Sequence, residues 1–356
     1  MKNIPLPVWI SLFALVGSVS CIEEYHPEID TIPSHLVVEG LMTDIAGESF
    51  VKLRRSNMYG DNFWWHNESN AMVYVEDSDN NIIRFEEESP GNYLPAGNVV
   101  AEHGKTYVLS IITEDGNEYQ SKPQEFPHNR RELLSVALES AVKDFYLHSS
   151  VSNRIYRFDV NGAMINATLS GSHKEYLRFN TTLTTQYIIT HPGLVTDTYE
   201  YCWMNRNAGD YLDTRVGEMG GDYAPYLPIA FVPMQNKQLI YLGYPEGNYL
   251  NARIITKDAF FINDDTYRYY KQAEEQLGDN GRFFDPIATN PASNIENLTH
   301  PGQNPLGFFE ASSMTRQLFN VRFDSRGNPD YFLIEDFDRI PPSGCSYEER
   351  PDFWQR

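Results

Sequence analysis

Basic side chains and cysteines are scarce in this 356-residue chain, and each shortage excludes a class of protein. The chain has 28 Lys and Arg against 49 Asp and Glu, which gives a formal net charge of -21. Because this charge repels a phosphate backbone and no basic block offsets it, we expect no nucleic-acid partner. Three cysteines are too few for a disulfide-rich scaffold.

The motifs of common enzymes and metal sites are also missing. There is no Gly-x-Ser-x-Gly nucleophile elbow and no His-Glu-x-x-His zinc motif. Asp77, Asp79 and Asn81 have the first ligand spacings of a calcium loop, but Ile82 stands where that loop needs Gly for its sharp turn. These residues therefore predict the tip of a β-hairpin. We expect a non-enzymatic protein without catalytic residues, metal or cofactor.

Aromatic and hydrophobic residues are abundant and favour β-structure. Hydrophobic residues make up 41% of the chain, and it contains 23 Tyr and 20 Phe. From His35 onward, short β-like runs follow one another at close spacing. Tyr107–Ile112 and Glu118–Ser121 flank an Asp-Gly pair, which is a strong hairpin signal. Residues 34–127 are therefore predicted to form an Ig-like or transthyretin-like β-sandwich.

The rest of the chain, residues 128–356, is predicted to be a second β-rich domain with one clear α-helix. Its candidate strands are Arg154–Val160, Tyr176–Phe179, Leu183–Thr190, Leu239–Gly243 and Asn251–Phe261. The helix is expected near residues 264–277, with Asn263 as its N-cap and Gly278 at its end. Tyr267 and Tyr270 share a helical face, which predicts core packing, and a ligand stack is the alternative.

Residues 1–20 have the layout of a secretory signal peptide. Lys2 precedes a short apolar stretch, and small residues lie just before Cys21. The alternative is a transmembrane anchor, but the stretch is shorter than the about 20 residues that a span needs, and it contains Pro5 and Pro7. No later run is long or apolar enough to cross a bilayer.

Cys21 at the cleavage point resembles the lipidated cysteine of a bacterial lipobox, although Ser18 stands where Leu is usual. An ordinary cleaved signal with an incidental Cys is the alternative. Glu23 and Glu24 resemble the acidic export signal of Bacteroidetes surface lipoproteins. The resemblance implies acyl chains on Cys21, a tether over residues 21–33, and a place on the outer membrane facing the cell exterior.

Two further features mark candidate contact and cross-link residues. Trp64, Trp65 and His66 lie between two predicted strands and predict a loop that contacts a ligand or partner, or a Trp that closes the end of the sandwich. Cys202 and Cys345 either form a disulfide or remain as two buried thiols. A disulfide there would close a loop of about 140 residues.

Several separated stretches together resemble one family. They are Leu36–Asp44, Tyr201–Trp203, Tyr269–Lys271, Phe283–Pro286, Asn294–Ile295, Asn304–Phe309 and Ala311–Ser313. The resemblance is to a Bacteroidetes lipoprotein family known only as a domain of unknown function, whose members are commonly encoded beside TonB-dependent outer-membrane receptors. It covers nearly all of the mature chain and supplies no catalytic residues. Phe283–Pro286 and Gly307–Phe309 are also expected to pin a long loop onto the sheet.

Two functions follow as expectations. The first is a surface-exposed lipoprotein that acts as a non-catalytic accessory subunit of a TonB-dependent receptor during nutrient capture or uptake. The second is a stand-alone glycan-binding protein or adhesin that uses Trp64 and Trp65. Both place the protein on the membrane through its lipid, and the sequence leaves the ligand and the partner's identity open.

Overall fold

The computed structural model describes residues 34–56, 66–127, 135–149, 154–168, 174–191, 198–207, 214–219, 226–234, 248–278, 290–324, 326–333 and 344–346. From His35 onward they belong to one compact unit, His35–Ser56 with Trp65–Arg356. A second unit, Met1–Ser34 with Asn57–Trp64, lies outside these ranges apart from Ser34.

The described elements are 21 strands and, within these ranges, one helix. The first nine strands are β1 (Leu36–Met42), β2 (Phe50–Arg55), β3 (His66–Asn67), β4 (Met72–Asp77), β5 (Ile82–Ser89), β6 (Asn92–Pro95), β7 (Thr106–Ile112), β8 (Glu118–Ser121) and β9 (Gln124–Glu125). The next seven are β10 (Ser135–Ser149), β11 (Arg154–Thr168), β12 (Glu175–His191), β13 (Thr198–Asn207), β14 (Thr214–Met219), β15 (Tyr226–Pro233) and β16 (Asn248–Ile262). After them come α1 (Asp264–Gly278), β17 (Ile295–Asn297), β18 (Leu306–Ala311), β19 (Ser313–Phe323), β20 (Pro329–Leu333) and β21 (Gly344–Ser346).

Sheet 1 contains the first nine strands together with β17 and β18. Its main path is β17-β8-β7-β4-β5-β6-β2-β1-β18, with β3 on β2 and β9 on β7. Both halves of the sheet pack on one core, to which Val38, Leu53, Leu109 and Phe309 contribute. A sheet that folds over a single core in this way buries apolar side chains much as the two layers of a sandwich do.

Turn chemistry sets the hairpins of sheet 1. Asp77 Oδ1 accepts the backbone N–H groups of Asp79 and Asn81, both at 2.9 Å, and Asn80 has a φ of 63°. This side-chain capping stabilises the turn between β4 and β5. The predicted hairpin tip is therefore confirmed. The hairpin of β7 and β8 is confirmed as well, with Ile111 opposite Tyr119.

The edge formed by β1 and β18 depends on two glycines. The strands run parallel, with Val38 opposite Gly307 and Gly40 opposite Phe309. A Cβ on Gly307 would lie 1.9 Å from the Val38 carbonyl oxygen, and a Cβ on Gly40 would lie 2.8 Å from the Phe309 ring. Gly307 also has a φ of 96°, which side chains disfavour. Glycine at both positions thus allows two strands from distant parts of the chain to pair.

Asn294 nearly closes sheet 1. Its backbone oxygen accepts the N–H of Lys122 at 2.7 Å, beside the edge strand β17. Its side-chain Nδ2 donates to the Phe309 carbonyl at 2.8 Å, and its Oδ1 accepts the Phe309 N–H at 2.9 Å. The buried amide of Asn294 therefore substitutes for a peptide group between the two edges of the sheet.

Sheets 2 and 3 form the rest of the unit. Sheet 2 has the order β10-β11-β15, and sheet 3 has the order β20-β19-β16-β12-β13-β21, with β14 also on β12. They stack over a shared core that includes Ile165 and Val232 of sheet 2 and Leu177, Ile255 and Phe319 of sheet 3. A smaller cluster, which includes Leu41, Phe260 and Met314, joins sheet 3 to sheet 1.

The helix α1 begins and ends close to its predicted positions. Asn263 Oδ1 accepts the Thr266 N–H at 2.8 Å, so the predicted N-cap is confirmed. Tyr267 stacks on Tyr176 of sheet 3 with ring centroids 4.5 Å apart. The guanidinium of Arg178 lies 4.9 Å from the ring centre of Tyr270. Both tyrosines therefore pack against the protein itself.

The expected fold class is confirmed: the chain is mostly β, with several sheets and a helix after the long strand β16. Two sequence expectations need revision in detail. Tyr176–Phe179 and Leu183–Thr190 belong to one strand, β12. Sheet 1 also takes in β17 and β18, which lie far beyond residue 127. The predicted strand Leu239–Gly243 lies outside the described residues.

Candidate functional site

Of the residues predicted to contact a ligand or partner, the structure describes only His66. His66 is exposed and lies in the two-residue strand β3, opposite Arg55 of β2. Trp64 and Trp65 lie outside the described residues, and so do Cys21 and the rest of the predicted signal and tether. The aromatic-loop hypothesis and the lipidation of Cys21 therefore stay predictions.

Cys202 lies fully buried in β13 and is disulfide-bonded. The register of β13 and β21 places Cys345 directly opposite Cys202. The two residues named as a possible pair from the sequence thus share one ladder position at the edge of sheet 3.

The strand register divides sheet 3 into two faces of different chemistry. Residues directly opposite each other in neighbouring strands share a face, and the face alternates along each strand. Leu183, Ile255 and Phe319 lie on the face that packs on sheet 2. Thr184 and Asn320 lie on the other face, where both flank Ile254 of the central strand β16.

Five polar or partly polar side chains on this second face form a patch that we call the amide face: Thr184, Gln186, Trp203, Thr256 and Asn320. Trp203 lies opposite Gln186, and Thr256 lies opposite Thr182, next to Thr184 along the same face. Thr184, Gln186 and Asn320 are all 0% exposed. The hydroxyls of both threonines, the indole N–H of Trp203 and both amide atoms of Gln186 and Asn320 have no hydrogen-bond partner among the described residues.

The charges beside the amide face neutralise each other. Arg316 donates to both carboxylate oxygens of Asp258, at 2.6 and 2.9 Å, and also to Glu48 of the first sheet's region. Hydrogen bonds from Arg316 to Asp258 are the largest cause that raises the pKa of Arg316. The face is therefore polar but carries no unpaired charge in these rows.

A buried ion pair follows in the next row and connects sheets 1 and 3. Arg178 of β12 and Glu310 of β18 have side chains only 7% and 2% exposed, and Arg178 Nε lies 3.0 Å from Glu310 Oε2. The Arg178 guanidinium also stacks on Phe260 at 3.7 Å from the ring centre. Burial lowers the pKa of Arg178, but the charge of Glu310, the hydrogen bonds to Glu310 and smaller effects of other neighbours together outweigh burial and raise it. We call this pair the seam.

Family-resemblance motifs meet around the seam. The ring centroids of Tyr269 and Phe308 stack 4.6 Å apart, and Tyr270 lies over Arg178. Burial raises the pKa of Tyr270, which keeps its hydroxyl neutral. Phe308 and Phe309 lie in strand β18, where they join the sheet itself, and Phe283–Pro286 lies outside the described residues.

The face of sheet 3 that packs on sheet 2 contains one buried cation. Lys257 is 0% exposed, and its Nζ has no hydrogen-bond partner among the described residues. Burial lowers its pKa to about 8. Thr181, directly opposite in the register, also has an unpaired hydroxyl among these residues.

Strands β10 and β11 extend beyond the rest of sheet 2. They pair with each other from Ser135 to Ser149, whereas β15 pairs only with residues 162–168 of β11. We call residues 142–149 and 154–161 the arm. Val142 and Ile155 lie on the same face as the core residue Ile165, and they are 65% and 69% exposed. The core-facing side of sheet 2 thus continues onto the arm without a cover among the described residues.

The sequence offered a signal for the amide face that the strand prediction did not use. Asn180-Thr181-Thr182-Leu183-Thr184-Thr185-Gln186 is polar on both faces of a strand, whereas a half-buried strand alternates between polar and apolar residues. Lys257 within the long apolar strand β16 was a similar signal. The sequence alone could not show that these side chains lack hydrogen-bond partners, because that depends on the tertiary structure.

Among the described residues, no group of three or more His, Cys, Asp or Glu is placed to hold a metal ion. No helix within them is long and apolar enough to cross a membrane.

Comparisons with known proteins identify a family. Neither the curated proteins nor the solved structures gave a match. A family model described as a domain of unknown function, DUF4249, matches residues 22–317, from just behind Cys21 into strand β19. The match takes in sheet 1, sheet 2, the helix and most of sheet 3. The chain therefore belongs to the DUF4249 family.

Proposed function

We propose that the protein is a lipid-anchored, surface-exposed outer-membrane lipoprotein that serves as a non-catalytic accessory subunit of a TonB-dependent receptor in nutrient capture or uptake. The signal-like residues 1–20, Cys21 and the acids behind it support the anchor and its address. The resemblance to lipoproteins that accompany such receptors supports the partner.

The observation that carries the accessory role is the arm. A two-stranded ribbon is marginally stable alone in water, and larger sheets or packing partners stabilise it. Val142 and Ile155 add exposed apolar surface to the arm on one face. Arg157, Asp144 and Asp159 lie between them on the same face. The arm therefore presents a mixed apolar and charged surface, which is the composition of many protein interfaces. We assign the partner at this surface as the receptor.

Affinity purification from native outer membranes in mild detergent tests the assignment. Tagged wild-type protein is expected to retain a TonB-dependent receptor in stoichiometric amount. Val142→Asp with Ile155→Asp places two charges on the exposed face of the arm, so receptor recovery should fall at least tenfold while the fold persists.

Met72→Asp is the matched control, because Met72 is 63% exposed in a strand of sheet 1 and lies outside the arm. It should leave receptor recovery unchanged. Purification of the wild type without a receptor, from membranes in which other receptor complexes stay intact, would contradict the accessory role and favour a stand-alone glycan-binding protein or adhesin.

The anchor needs a test of its own. Cys21→Ala should abolish incorporation of labelled palmitate and release the protein from the membrane fraction. Protease added to intact cells should degrade the wild-type protein if it faces the exterior. Resistance on intact cells, together with digestion after the cells are opened, would overturn the surface location.

A further inference from the structure

The amide face is the strongest unexplained feature of the described residues. Gln186 and Asn320 each bury a donor and an acceptor without a partner among these residues, and Thr184, Thr256 and Trp203 add two hydroxyls and an N–H. Buried polar side chains in proteins are nearly always hydrogen-bonded, to protein, water or ligand. Leaving them unpaired lowers stability, so a set of five on one face requires a reason.

The positions of the five side chains form an ordered grid. Asn320, Ile254 and Thr184 are successive neighbours across β19, β16 and β12, and Gln186 with Trp203 follows one step along the same face. Neighbouring strands lie about 4.8 Å apart, and same-face residues along a strand lie about 7 Å apart. The unpaired groups are therefore spread over several strand and residue spacings. A ligand with several polar groups could reach more than one of them.

Solvent reaches the margin of this face. Thr182, on the same face as Thr184, and Asn180 beside Asp258 are both half-buried, as is Asn205 opposite Thr184. The five side chains of the amide face lie deeper than these three. This gradient from half-buried to fully buried polar side chains is typical of a binding site that removes part of its ligand from water.

The donor and acceptor chemistry defines the class of ligand. An amide presents one donor group and one acceptor, and a threonine hydroxyl presents both on one atom. A sugar hydroxyl is likewise both donor and acceptor. Among the described residues of this face, Asp258 and Arg316 pair with each other. Arg322, two residues after Asn320 on the same face, lies directly opposite Asp330. To gain a counter-charge there, a charged ligand would have to compete with the acidic side chains that already lie opposite Arg316 and Arg322, so burying its charge would be unfavourable.

We infer that the amide face binds a neutral carbohydrate, with Gln186 and Asn320 as the main hydrogen-bonding side chains and Trp203 as an additional donor. This rests on the proposed function, because it names the class of nutrient that the accessory subunit would present to its receptor. An extended peptide fits the face less well, because the amide face itself offers hydrogen-bonding groups at all five of its positions and few apolar pockets for alternate side chains.

Calorimetric titration of the full-length protein in detergent tests the inference. The probes are hexasaccharides of glucose, mannose, xylose and N-acetylglucosamine, with hexaalanine as a neutral peptide and hexagalacturonate as an acidic sugar. At least one neutral hexasaccharide should bind, and hexagalacturonate should bind at least tenfold more weakly. Binding of hexaalanine alone would overturn the inference in favour of a peptide site, and binding of no neutral sugar would overturn it outright.

Variants separate a binding role from a structural one. Gln186→Leu and Asn320→Leu should each weaken sugar binding at least tenfold, while the unfolding temperature without ligand stays the same or rises, because each removes unpaired buried polar atoms. Thr184→Val deletes only a hydroxyl and keeps the volume, so it is the variant to use if the leucine variants fail to fold. Gln120→Leu, an exposed amide in β8, is the matched control.

Two results would count against the inference at the level of residues. One is unchanged sugar affinity in all three amide-face variants, and the other is a lower unfolding temperature in Thr184→Val, which would show that its hydroxyl is structural. Measuring receptor recovery for the same variants distinguishes failure of this inference from failure of the accessory role. Amide-face variants should retain the receptor, and arm variants should retain sugar binding.

Discussion

Sheets 1 and 3 differ in how completely their buried polar side chains are hydrogen-bonded. In the described residues from 34 to 127, no buried side-chain nitrogen or oxygen lacks a hydrogen-bond partner. The Tyr93 hydroxyl, for example, accepts the Ala71 N–H and donates to the Glu68 carbonyl, both at 3.0 Å. Sheet 3 leaves Gln186, Asn320 and Lys257 without partners on its two faces. The described residues 34–127, which form most of sheet 1, thus leave no buried side-chain polar atom unpaired, whereas sheet 3 does.

This difference indicates that sheet 3 is the region in which to look for a binding site. A fold is most stable when local propensity, core packing and hydrogen bonding all favour the same structure. Departures from this consistency concentrate where a protein binds or acts. In the described residues 34–127 the buried polar side chains all have partners. Sheet 3, which is joined to sheet 1 through the seam, carries the unpaired polar groups. Four changes test how far this contrast extends, in order of decreasing effect.

Breaking the seam should have the largest effect. Glu310→Ala leaves the Arg178 guanidinium buried without its counter-charge, so the free energy of unfolding should fall by about 3–5 kcal/mol. Replacing both residues, Arg178→Met with Glu310→Leu, should restore most of this loss because no charge stays buried. Urea unfolding measures both variants.

An exposed ion pair provides the control for the seam. Arg157 and Asp144 have side chains 61% and 41% exposed. Asp144→Ala should therefore change the free energy of unfolding by less than about 1 kcal/mol. Equal losses in Glu310→Ala and Asp144→Ala would show that the seam contributes no more than a surface pair.

Removing the buried cation should stabilise sheet 3. Burial lowers the pKa of Lys257 from its ordinary 10.5 to about 8. Below pH 8 the lysine is protonated in both states and the folded state carries the full penalty, so Lys257→Met should gain about 3 kcal/mol at pH 7. Between pH 8 and 10.5 the unfolded chain binds more protons, so the wild type gains stability and the variant's advantage shrinks.

Thermal and urea unfolding at pH 7 and pH 10 check this sign. Lys52→Met is the control, since Lys52 is 33% exposed and pairs with Glu39. It should shift the free energy of unfolding by less than about 0.5 kcal/mol. A destabilised Lys257→Met protein would mean that the amine has a partner in solution.

Removing the hydrogen bonds by which the Asn294 side chain joins the two edges of sheet 1 should destabilise that sheet. Asn294→Ala removes both hydrogen bonds to the Phe309 backbone and leaves that buried peptide unpaired. The loss should be about 2 kcal/mol, with faster hydrogen exchange at the Phe309 amide. Asn92→Ala, which removes an exposed amide bonded to Ser89, should change neither quantity. Unchanged exchange at Phe309 would refute closure by the side chain.

The smallest effect is expected at the hairpin tip. Burial raises the pKa of Asp77, but hydrogen bonds from Asn81 and Lys105 outweigh this and lower it to about 2. The stabilisation is therefore present above pH 3.8, the ordinary pKa of Asp, and is lost as the pH falls through 2.

Asp77→Asn should reduce the free energy of unfolding by about 1 kcal/mol at pH 6 and by less at pH 3, after allowance for solvent screening. Urea titrations at both pH values give the comparison. The matched change Asp79→Asn affects a carboxylate that is 65% exposed and should have a smaller effect. A larger deficit at pH 3 than at pH 6 would reverse the sign of the argument.

Local features were predictable because they depend on neighbouring residues. Asn263 and Gly278 bound the helix through capping and backbone freedom, and Asp77 sets a turn through its own side chain. The pairing of Gly40 with Phe309 was not predictable in this way, although both residues lie in stretches that carry the family resemblance. Gly307–Phe309 was expected to pin a long loop onto the sheet, and it instead lies within strand β18.

The sequence by itself determined the mostly β class, the helix and the hairpins. These follow from conformational propensities and capping groups that each residue carries wherever the chain places it. Only the tertiary structure decided that β18 completes sheet 1, that Arg178 meets Glu310, and that Gln186 and Asn320 share a face. Contacts between residues more than a hundred positions apart depend on strand order and register, and whether a buried amide finds a partner depends on those contacts.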